Sequence, residues 1–430
     1  MKYSSYAYVM LAVLAISQPV RAEDPEISNR QRDGVQGPQT MLTSMSAYRD
    51  QLADAGVEFS LTYDGDLASV ADGGRKRLVT YLDFIEFRTT FDNEKLFGLK
   101  GNTVSFSLID SNGTTTNGST VGSTQGTNNS EVGPGGNGVR LYEAWVQQNF
   151  LDDRVSVLLG VHDLNTEFVA TTVSDNFITP TFQIGQTFAQ SGENGPSVFP
   201  NTALAARLKV KPTEDSYAAF AVYDGVAGAP ATDKGTGIRL KKKDGVLLVG
   251  ELAYVPPAAD SDAELNKLAV GVWNYTSGLD DLNEVDSNGN PAKSNSQGIY
   301  FLSSARIYHD KAAGRDVSAF ARLGFADEST VQVDWDYSAG IVATGFVPTR
   351  PEGEFGLGVS GAHNGDAYVQ SVVAAGGATA RNETIYELYY RDTLFEGVSL
   401  QPSVQYVTNP GTDTVTDDAL IFGTRLSVSF

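Results

Sequence analysis

Cysteine is absent from this sequence of 430 residues, and histidine (three residues) and methionine (four) are scarce. Without thiols the chain can form neither a disulfide framework nor a thiolate metal site. The histidines, His162, His309 and His363, have no H-x-x-x-H or comparable ligand spacing. No G-x-S-x-G motif occurs, and GPGGNG (133–138) lacks the lysine of a phosphate-binding loop. We therefore predict no catalytic residues, no cofactor and no metal site.

Long apolar runs and positive charge are also in short supply. After the first 22 residues no apolar run reaches the roughly 20 residues that a transmembrane helix needs. Lys and Arg number 31 against 52 Asp and Glu, a net charge of −21. Nucleic-acid binding requires a basic face, so we predict no nucleic-acid partner. Gly (44), Phe (21) and Tyr (19) are abundant, a balance that suits strands and turns.

The N-terminus predicts export from the cytoplasm. Lys2 is followed by an apolar run over 8–16 and by Val20-Arg21-Ala22, a small-x-small cleavage site. We interpret residues 1–22 as a cleaved signal peptide, which makes Glu23 the mature start. Residues 23–56 are predicted to be an N-terminal periplasmic segment. It is polar at first and ends in a short amphipathic helix over 44–55, before Gly56.

From residue 57 to residue 430 the apolar pattern has a period of two, which is typical of strands. At the C-terminus Leu420, Phe422, Leu426, Val428 and Phe430 share one face. The other face carries Gly423, Arg425, Ser427 and Ser429. A soluble β-sandwich has the same alternation, but an aromatic terminal strand favours a membrane barrel, whose aromatic girdles lie at the membrane–water boundary.

The alternation predicts about sixteen strands, an even number as bacterial outer-membrane barrels require. They lie near 57–68, 78–92, 101–110, 138–149, 154–163, 202–211, 215–224, 246–255, 266–277, 298–309, 316–326, 334–346, 354–363, 382–393, 398–408 and 419–430. Short connections alternate with long ones, as periplasmic turns alternate with extracellular loops. We therefore predict an all-β fold, a transmembrane antiparallel barrel wide enough for an aqueous channel.

Two of the long connections have distinct compositions. Residues 111–137 are rich in Gly, Ser, Thr and Asn, which predicts a flexible external loop without a ligand. Residues 164–201 contain five phenylalanines. Because so many aromatic side chains need burial, we expect this loop to fold inward and narrow the pore. Packing on the outer rim or in a trimer contact is the alternative.

Several segments resemble the carbohydrate-selective porins of the OprB family. The resemblance is carried by RLYEAWVQQNFLDDRVSVLLGVHDLNTEF (140–168), FAQSGENGPSVFP (188–200) and LQPSVQYVTNPGTDTVTDDALIFGTRLSVSF (400–430). It implies a sixteen-stranded outer-membrane barrel, selective for glucose-like sugars, with arginines and acidic residues at its constriction. The insertion at 111–137 departs from the family pattern, and IRLKKKDG (238–245) is unusually basic.

Charged residues on the polar face of a predicted strand are the candidates for this constriction. On 78–92, Glu86 and Arg88 share a face opposite three apolar residues. A lysine or arginine facing lipid at the midplane costs roughly 2–4 kcal/mol, which favours the inward orientation. The simpler interpretation of each charge is a solvated lumen residue that only keeps the pore wet. The candidates on strands are Glu86, Arg88, Arg207, Arg306, Arg322 and His162, and Asp163 and Glu167 at the start of the long loop 164–201 are added to them.

Three further expectations concern single residues. Arg425 should face the lumen near the periplasmic end. Asp83 falls on the apolar face of its strand, which a bulge or a position near the rim would explain. The tryptophans, Trp145, Trp273 and Trp335, are predicted to be girdle residues rather than a sugar-stacking track.

The residues alone predict a water-filled channel of the bacterial outer membrane with several inward arginines, and the resemblance to the OprB family implies that it is a passive, sugar-preferring diffusion channel. A general or anion-preferring porin is the alternative within transport, and a barrel hydrolase or adhesin is the alternative from another class. The expected partners are small sugars, outer-membrane lipid and lipopolysaccharide, and the barrel-assembly machinery. Whether the chain is a monomer or a homotrimer stays open.

Overall fold

The computed structural model describes residues 41–132, 138–228, 240–257 and 264–429. The predicted signal peptide, most of the N-terminal segment that follows it and the terminal Phe430 lie outside the described residues.

Sixteen antiparallel strands close into one barrel, in which the first strand pairs with the last. The barrel strands are β1 (Val57–Asp72), β2 (Val79–Asp92), β3 (Asn102–Gly113), β4 (Arg140–Phe150), β5 (Val155–His162), β6 (Ala203–Thr213), β7 (Ser216–Asp224), β8 (Val246–Tyr254), β9 (Glu264–Tyr275), β12 (Gln297–Asp310), β13 (Arg315–Ala326), β14 (Val333–Thr344), β15 (Glu354–Asn364), β16 (Asn382–Phe395), β17 (Val398–Thr408) and β18 (Ala419–Ser429). Each overlaps one predicted strand, so the predicted fold class is confirmed. The hairpin of β10 (Leu279–Val285) and β11 (Pro291–Ser294) was not predicted.

Strand pairing places both chain ends on one side of the barrel. β1 and β18 are joined from Thr62↔Ser429 to Asp72↔Leu420. The short turns, such as 396–397, lie on the side where β1 begins, and the long loops lie on the other. By the rule for outer-membrane barrels the short turns are periplasmic and the long loops extracellular.

The outer surface of the barrel is an apolar belt, because every second side chain of each strand faces lipid. Exposed members of the belt are Phe87, Leu159, Phe220, Leu252, Val272, Phe301, Leu357, Leu388 and Phe422. Because the barrel is closed, each of its sixteen strands has two hydrogen-bonded neighbours. The barrel therefore exposes no unpaired strand edge to the membrane.

The described residues also form four α-helices. They are α1 (Met41–Asp54), α2 (Asn93–Phe97), α3 (Gln186–Ala189) and α4 (Asp366–Ala374). α1 overlaps the helix predicted over 44–55. Its junction with the barrel is fixed where the Asp92 N–H donates to the Gly56 carbonyl at 2.8 Å. Among the described residues, no helix combines the length and the apolarity required to cross a bilayer.

The orientation of side chains in the barrel wall corrects the predictions for two tryptophans and settles on which face Asp83 lies. Trp145 and Trp273 face the lumen rather than an aromatic girdle: Trp145 lies beside His162, and Trp273 is 2% exposed. Asp83 faces outward in an unbroken register, opposite Asn112 and Gly65. No bulge turns it, and it lies in the extracellular half of β2.

Candidate functional site

The phenylalanine-rich connection between β5 and β6 is folded into the lumen, as predicted. We call residues 163–202 the inner loop. Phe168, Phe177, Phe182 and Phe188 of this loop are all 2% exposed or less. Phe188 stacks on the inward Trp273 with ring centroids 5.1 Å apart. Burial of aromatic surface therefore stabilises the inward position of the loop.

A second aromatic contact attaches the middle of the inner loop to the opposite wall. Phe177 and Phe182 pack against Phe320, with ring centroids 5.6 and 6.0 Å away. A side chain at Gly358 could not fit here, because its Cβ would lie 2.7 Å from Phe177 and 2.8 Å from Phe182. The glycine lets the loop approach the backbone of β15.

Buried carboxylates of the wall accept hydrogen bonds from the backbone of the inner loop. Glu387 accepts the N–H groups of Ile178 and Thr179 at 2.7 and 2.8 Å. Asp336 accepts the Thr187 N–H at 2.7 Å. Glu251 likewise accepts the N–H of Val169 at 3.0 Å. Backbone donors that leave water need such partners, so these carboxylates offset the cost of burying a loop inside the barrel.

Arg322 supplies the complementary contacts to carbonyl oxygens. It donates to Thr181 and Phe182 of the inner loop, each at 3.0 Å, and is 3% exposed. This predicted constriction residue lies between the barrel wall and the inner loop and is not exposed to the lumen. Its position favours a role in holding the loop; contact with sugar stays a prediction.

The described part of the Gly/Ser/Thr/Asn-rich connection between β3 and β4 packs on the inner wall, so the prediction of an external loop was wrong for these residues. We call its described part, residues 114–132, the polar loop. Val121 is fully buried in a cluster with inward side chains of β1 and β16–β18. Glu383 accepts the N–H groups of Thr124 and Gln125 at 2.9 and 3.0 Å. Small polar residues that look solvated in sequence are here paired with wall side chains.

The two loops form one layer. The Asn129 N–H of the polar loop donates to the Ile178 carbonyl of the inner loop at 2.8 Å. Arg425 holds the same part of the polar loop, donating to Asn129 Oδ1 at 2.9 Å while it pairs with Asp66 at 2.9 Å. Arg425 thus faces inward as predicted, and its bonds are structural.

On the inner wall, β2 and β4 present a charged cluster, which consists of Glu86, Arg88 and Glu143. Arg88 donates to Glu86 at 2.8 Å and to Glu143 at 2.5 Å. The side chains of Arg88 and Glu86 are 23% and 22% exposed, while Glu143 is 1% exposed. Glu143 also accepts the Asp163 N–H at 3.0 Å. It therefore links the solvent-facing arginine to the first residue of the inner loop.

Of the other predicted site residues, Glu167, Arg207 and His162 lie close to the root of the inner loop, and Arg306 lies near the periplasmic end of the barrel. Glu167 of the inner loop pairs with Arg207 at 2.6 Å, and the side chain of Arg207 is only 1% exposed. His162 Nδ1 lies 3.0 Å from the Tyr223 hydroxyl and is buried. The remaining candidate, Arg306, pairs with Glu264 at 2.9 Å near the periplasmic ends of its strands.

Asp163 follows the end of β5 and accepts a hydrogen bond from the Tyr142 hydroxyl. Burial, reinforced by the nearby Glu143 carboxylate, raises the pKa of Asp163 to about 7. The usual value for this side chain is close to 3.8. The carboxyl group at the root of the inner loop thus titrates near neutral pH.

Sequence reasoning missed the wall carboxylates that hold the two loops. Glu143, Glu251, Asp336, Glu383 and Glu387 all have inward orientation and are nearly inaccessible. Their parity along each strand was available from the sequence, since Glu143 shares its face with Trp145 and Gln147. Their loop partners were not.

Comparison with known proteins gives one family. The model of the family described as "Carbohydrate-selective porin, OprB family" matches residues 76–430. Porin B of Pseudomonas aeruginosa is 25% identical over 420 residues, which cover 91% of each chain.

Solved structures agree in fold. The high-pH structure of Pseudomonas putida OprB superposes with a TM-score of 0.80 at 21% identity, covering 90% of this chain and 97% of that one. Salmonella typhi OmpF, in complex with daunomycin, gives a TM-score of 0.52 at 10% identity over 88% and 99% of the two chains. At these identities the likeness concerns the fold alone.

Proposed function

This chain belongs to the carbohydrate-selective porin family, the OprB family, and we propose that its charged cluster is where a small sugar exchanges water for protein hydrogen bonds. The protein is an outer-membrane porin, a channel that lets sugars diffuse through its barrel. What the cluster adds is a location for the selectivity. The observation that carries the proposal is the partial exposure of Arg88 and Glu86 on the inner wall. Arg207 and Arg322 are buried, and Arg306, whose side chain is 19% exposed, lies near the periplasmic ends of its strands.

A neutral sugar needs both donors and acceptors from the wall. Its hydroxyl groups lose hydrogen bonds to water in a narrow passage, and selective conduction requires that the wall replace them without holding the solute long. Arg88 offers N–H donors, and Glu86 beside it offers carboxylate oxygens. Because Arg88 is bound by two carboxylates, 2.8 and 2.5 Å away, its guanidinium group is held in one position. A fixed group loses little side-chain entropy when a sugar binds.

The apolar face of a sugar ring also needs a surface. Trp145 faces the lumen two residues along β4 from Glu143 and lies 6.5 Å from His162, measured between ring centroids. We include it in the proposed passage as an aromatic surface beside the charged cluster. A glucose-like monosaccharide has both features that this wall complements, a ring of hydroxyls and an apolar face.

Flux through the refolded porin in liposomes tests the proposal. We expect fast entry of glucose, slower entry of a disaccharide, and a reduction of ion current when glucose is added. Uptake that follows solute size alone, with no effect of sugar on the current, would leave the barrel intact but indicate a general porin. A preference for anions without sugar block would favour the anion-preferring alternative.

A further inference from the structure

A cluster of positive charge stands out on the extracellular side of this acidic protein. Lys241, Lys242 and Lys243 follow one another at the end of the connection from β7 to β8, and all three are exposed. A backbone bond from the Asp244 N–H to the Lys241 carbonyl, at 2.9 Å, closes the turn that presents them. These lysines take no part in the proposed passage of sugar through the lumen.

Below the lysines the outer face of the barrel has a groove of about 640 Å³. Its floor consists of outward side chains of β5, β6 and β7, and its upper edge is formed by the lysine turn. The apolar lining includes Leu159, Leu204, Ala206, Val222 and Leu240. Leu159 is 52% exposed, while its neighbour Leu158 faces inward at 1%. The groove therefore opens toward lipid and not toward the pore.

The groove lies at the level of the outer layer of the membrane. It is at the extracellular ends of three strands, next to the lysine turn, and so at the outer boundary of the apolar belt. Here acyl chains meet the charged groups of the lipid. Lysines close to such a surface attract anionic headgroups, and an apolar groove next to them can accommodate the chain of the same molecule.

We propose that this groove binds the lipid A part of lipopolysaccharide, with an acyl chain along Leu159, Leu204 and Val222 and a phosphate group at Lys241 and Lys242. Charge complementarity carries the choice of occupant. A neutral lipid would gain nothing from three adjacent ammonium groups, and free phosphate would gain nothing from the apolar floor. Asp224 also lines the groove and Asp244 is buried next to it. The three lysines outnumber these two carboxylates.

The test measures lipid binding by the full-length, refolded porin, using purified lipid A with both phosphates, and phosphatidylglycerol as a second anionic lipid. Lys241, Lys242 and Lys243 are replaced together by Glu in one variant and by Arg in another. We expect the Glu variant to bind lipid A at least about tenfold more weakly than wild type and the Arg variant to match wild type. Lys293→Glu, in the extracellular hairpin, is the control and should bind normally.

A second variant examines the apolar floor without changing charge. Ala206→Trp fills the groove with a side chain that tolerates lipid, and it should weaken lipid A binding while glucose flux stays normal. Equal binding of lipid A by wild type and the Glu variant would overturn the proposal. Equal affinity for phosphatidylglycerol would overturn the choice of lipid A, and normal binding by Ala206→Trp would overturn the role of the groove.

Discussion

At the scale of single residues, the arginines on the inner wall fall into two groups according to what their guanidinium groups contact. Arg322 and Arg425 bind loop backbone or loop side chains and are buried. Within the part of the chain that the structure describes, Arg88 binds the wall carboxylates of Glu86 and Glu143, and 23% of its side chain stays exposed to the lumen. The first group is placed to hold loops, and Arg88 is placed to meet a solute.

We predict that Arg88→Ala changes sugar flux more than Arg425→Ala. Removing Arg88 deletes donors that face the lumen, and a hydrogen bond to a charged group contributes about 1.5 kcal/mol or more, roughly tenfold in affinity. Glucose should therefore block the ion current of the variant about tenfold more weakly. The measurement is sugar titration of single-channel current, with Arg425→Ala as the matched arginine deletion. Equal loss in both variants would remove the reason for placing selectivity at Arg88.

Arg322→Ala is also predicted to alter flux more than Arg425→Ala, for a different reason. Arg322 binds the carbonyls of Thr181 and Phe182, so its loss should displace the inner loop and not delete a sugar contact. We expect higher ion conductance together with weaker discrimination between glucose and a disaccharide. Unchanged conductance with a selective loss of glucose block would instead assign Arg322 a direct contact with sugar.

Asp163 gives a prediction about pH. Its folded pKa of about 7 lies above the ordinary 3.8, so folding favours the protonated form. The cost of the charged carboxylate is absent below about pH 4, grows as the pH rises, and is complete above about pH 7. Between about pH 5 and pH 8 the wild type should lose thermal stability relative to Asp163→Asn, measured as apparent Tm in the same detergent. Parallel Tm curves for the two proteins would contradict this.

At the scale of elements, the strands could be predicted from the sequence and the loop positions only in part. Strand alternation is local, so a window of ten residues around Phe422 already identifies the two faces of β18. The inner loop was predicted to fold inward because five phenylalanines require burial. The polar loop gave no such signal. Its partner Glu383 is about 260 residues away in sequence, and small polar residues look alike whether water or protein binds them.

Glu387 provides the test of the loop anchors. It accepts two N–H groups and the Thr179 hydroxyl from the inner loop. Glu387→Gln should weaken loop docking by about 2–3 kcal/mol, because a neutral amide accepts less strongly and leaves a backbone donor unsatisfied.

For Glu387→Gln we expect larger fluctuations of the single-channel current and faster amide hydrogen exchange in the inner loop. Glu352→Gln, an exposed glutamate in a periplasmic turn, is the control. Exchange rates in the inner loop that match those of the control would exclude Glu387 as an anchor.

At the scale of the whole molecule, two loops from neighbouring hairpins lie inside the barrel and are held by wall residues of β1, β8, β9 and β13–β18, while the charged cluster lies on β2 and β4. The wide barrel that sixteen strands enclose is thereby reduced to the space that the two loops leave open. Net charge does not describe that passage, because Glu383, Glu387 and Asp336 are bound to loop N–H groups. An overall charge of −21 therefore carries no prediction of cation selectivity.

Shortening the polar loop tests whether this loop narrows the pore. Deleting residues 117–130 leaves enough chain to connect β3 and β4, which are already paired at Ile109↔Arg140. Val121 and the bonds to Glu383 are lost with the segment, so the passage should widen toward β16–β18. Conductance should then rise and disaccharide entry should approach that of glucose, while Arg88 continues to confer sugar block. Deleting the external hairpin over 280–293, of equal length, should leave conductance unchanged. If both deletions conduct like wild type, the polar loop does not narrow the pore and the inner loop alone defines it.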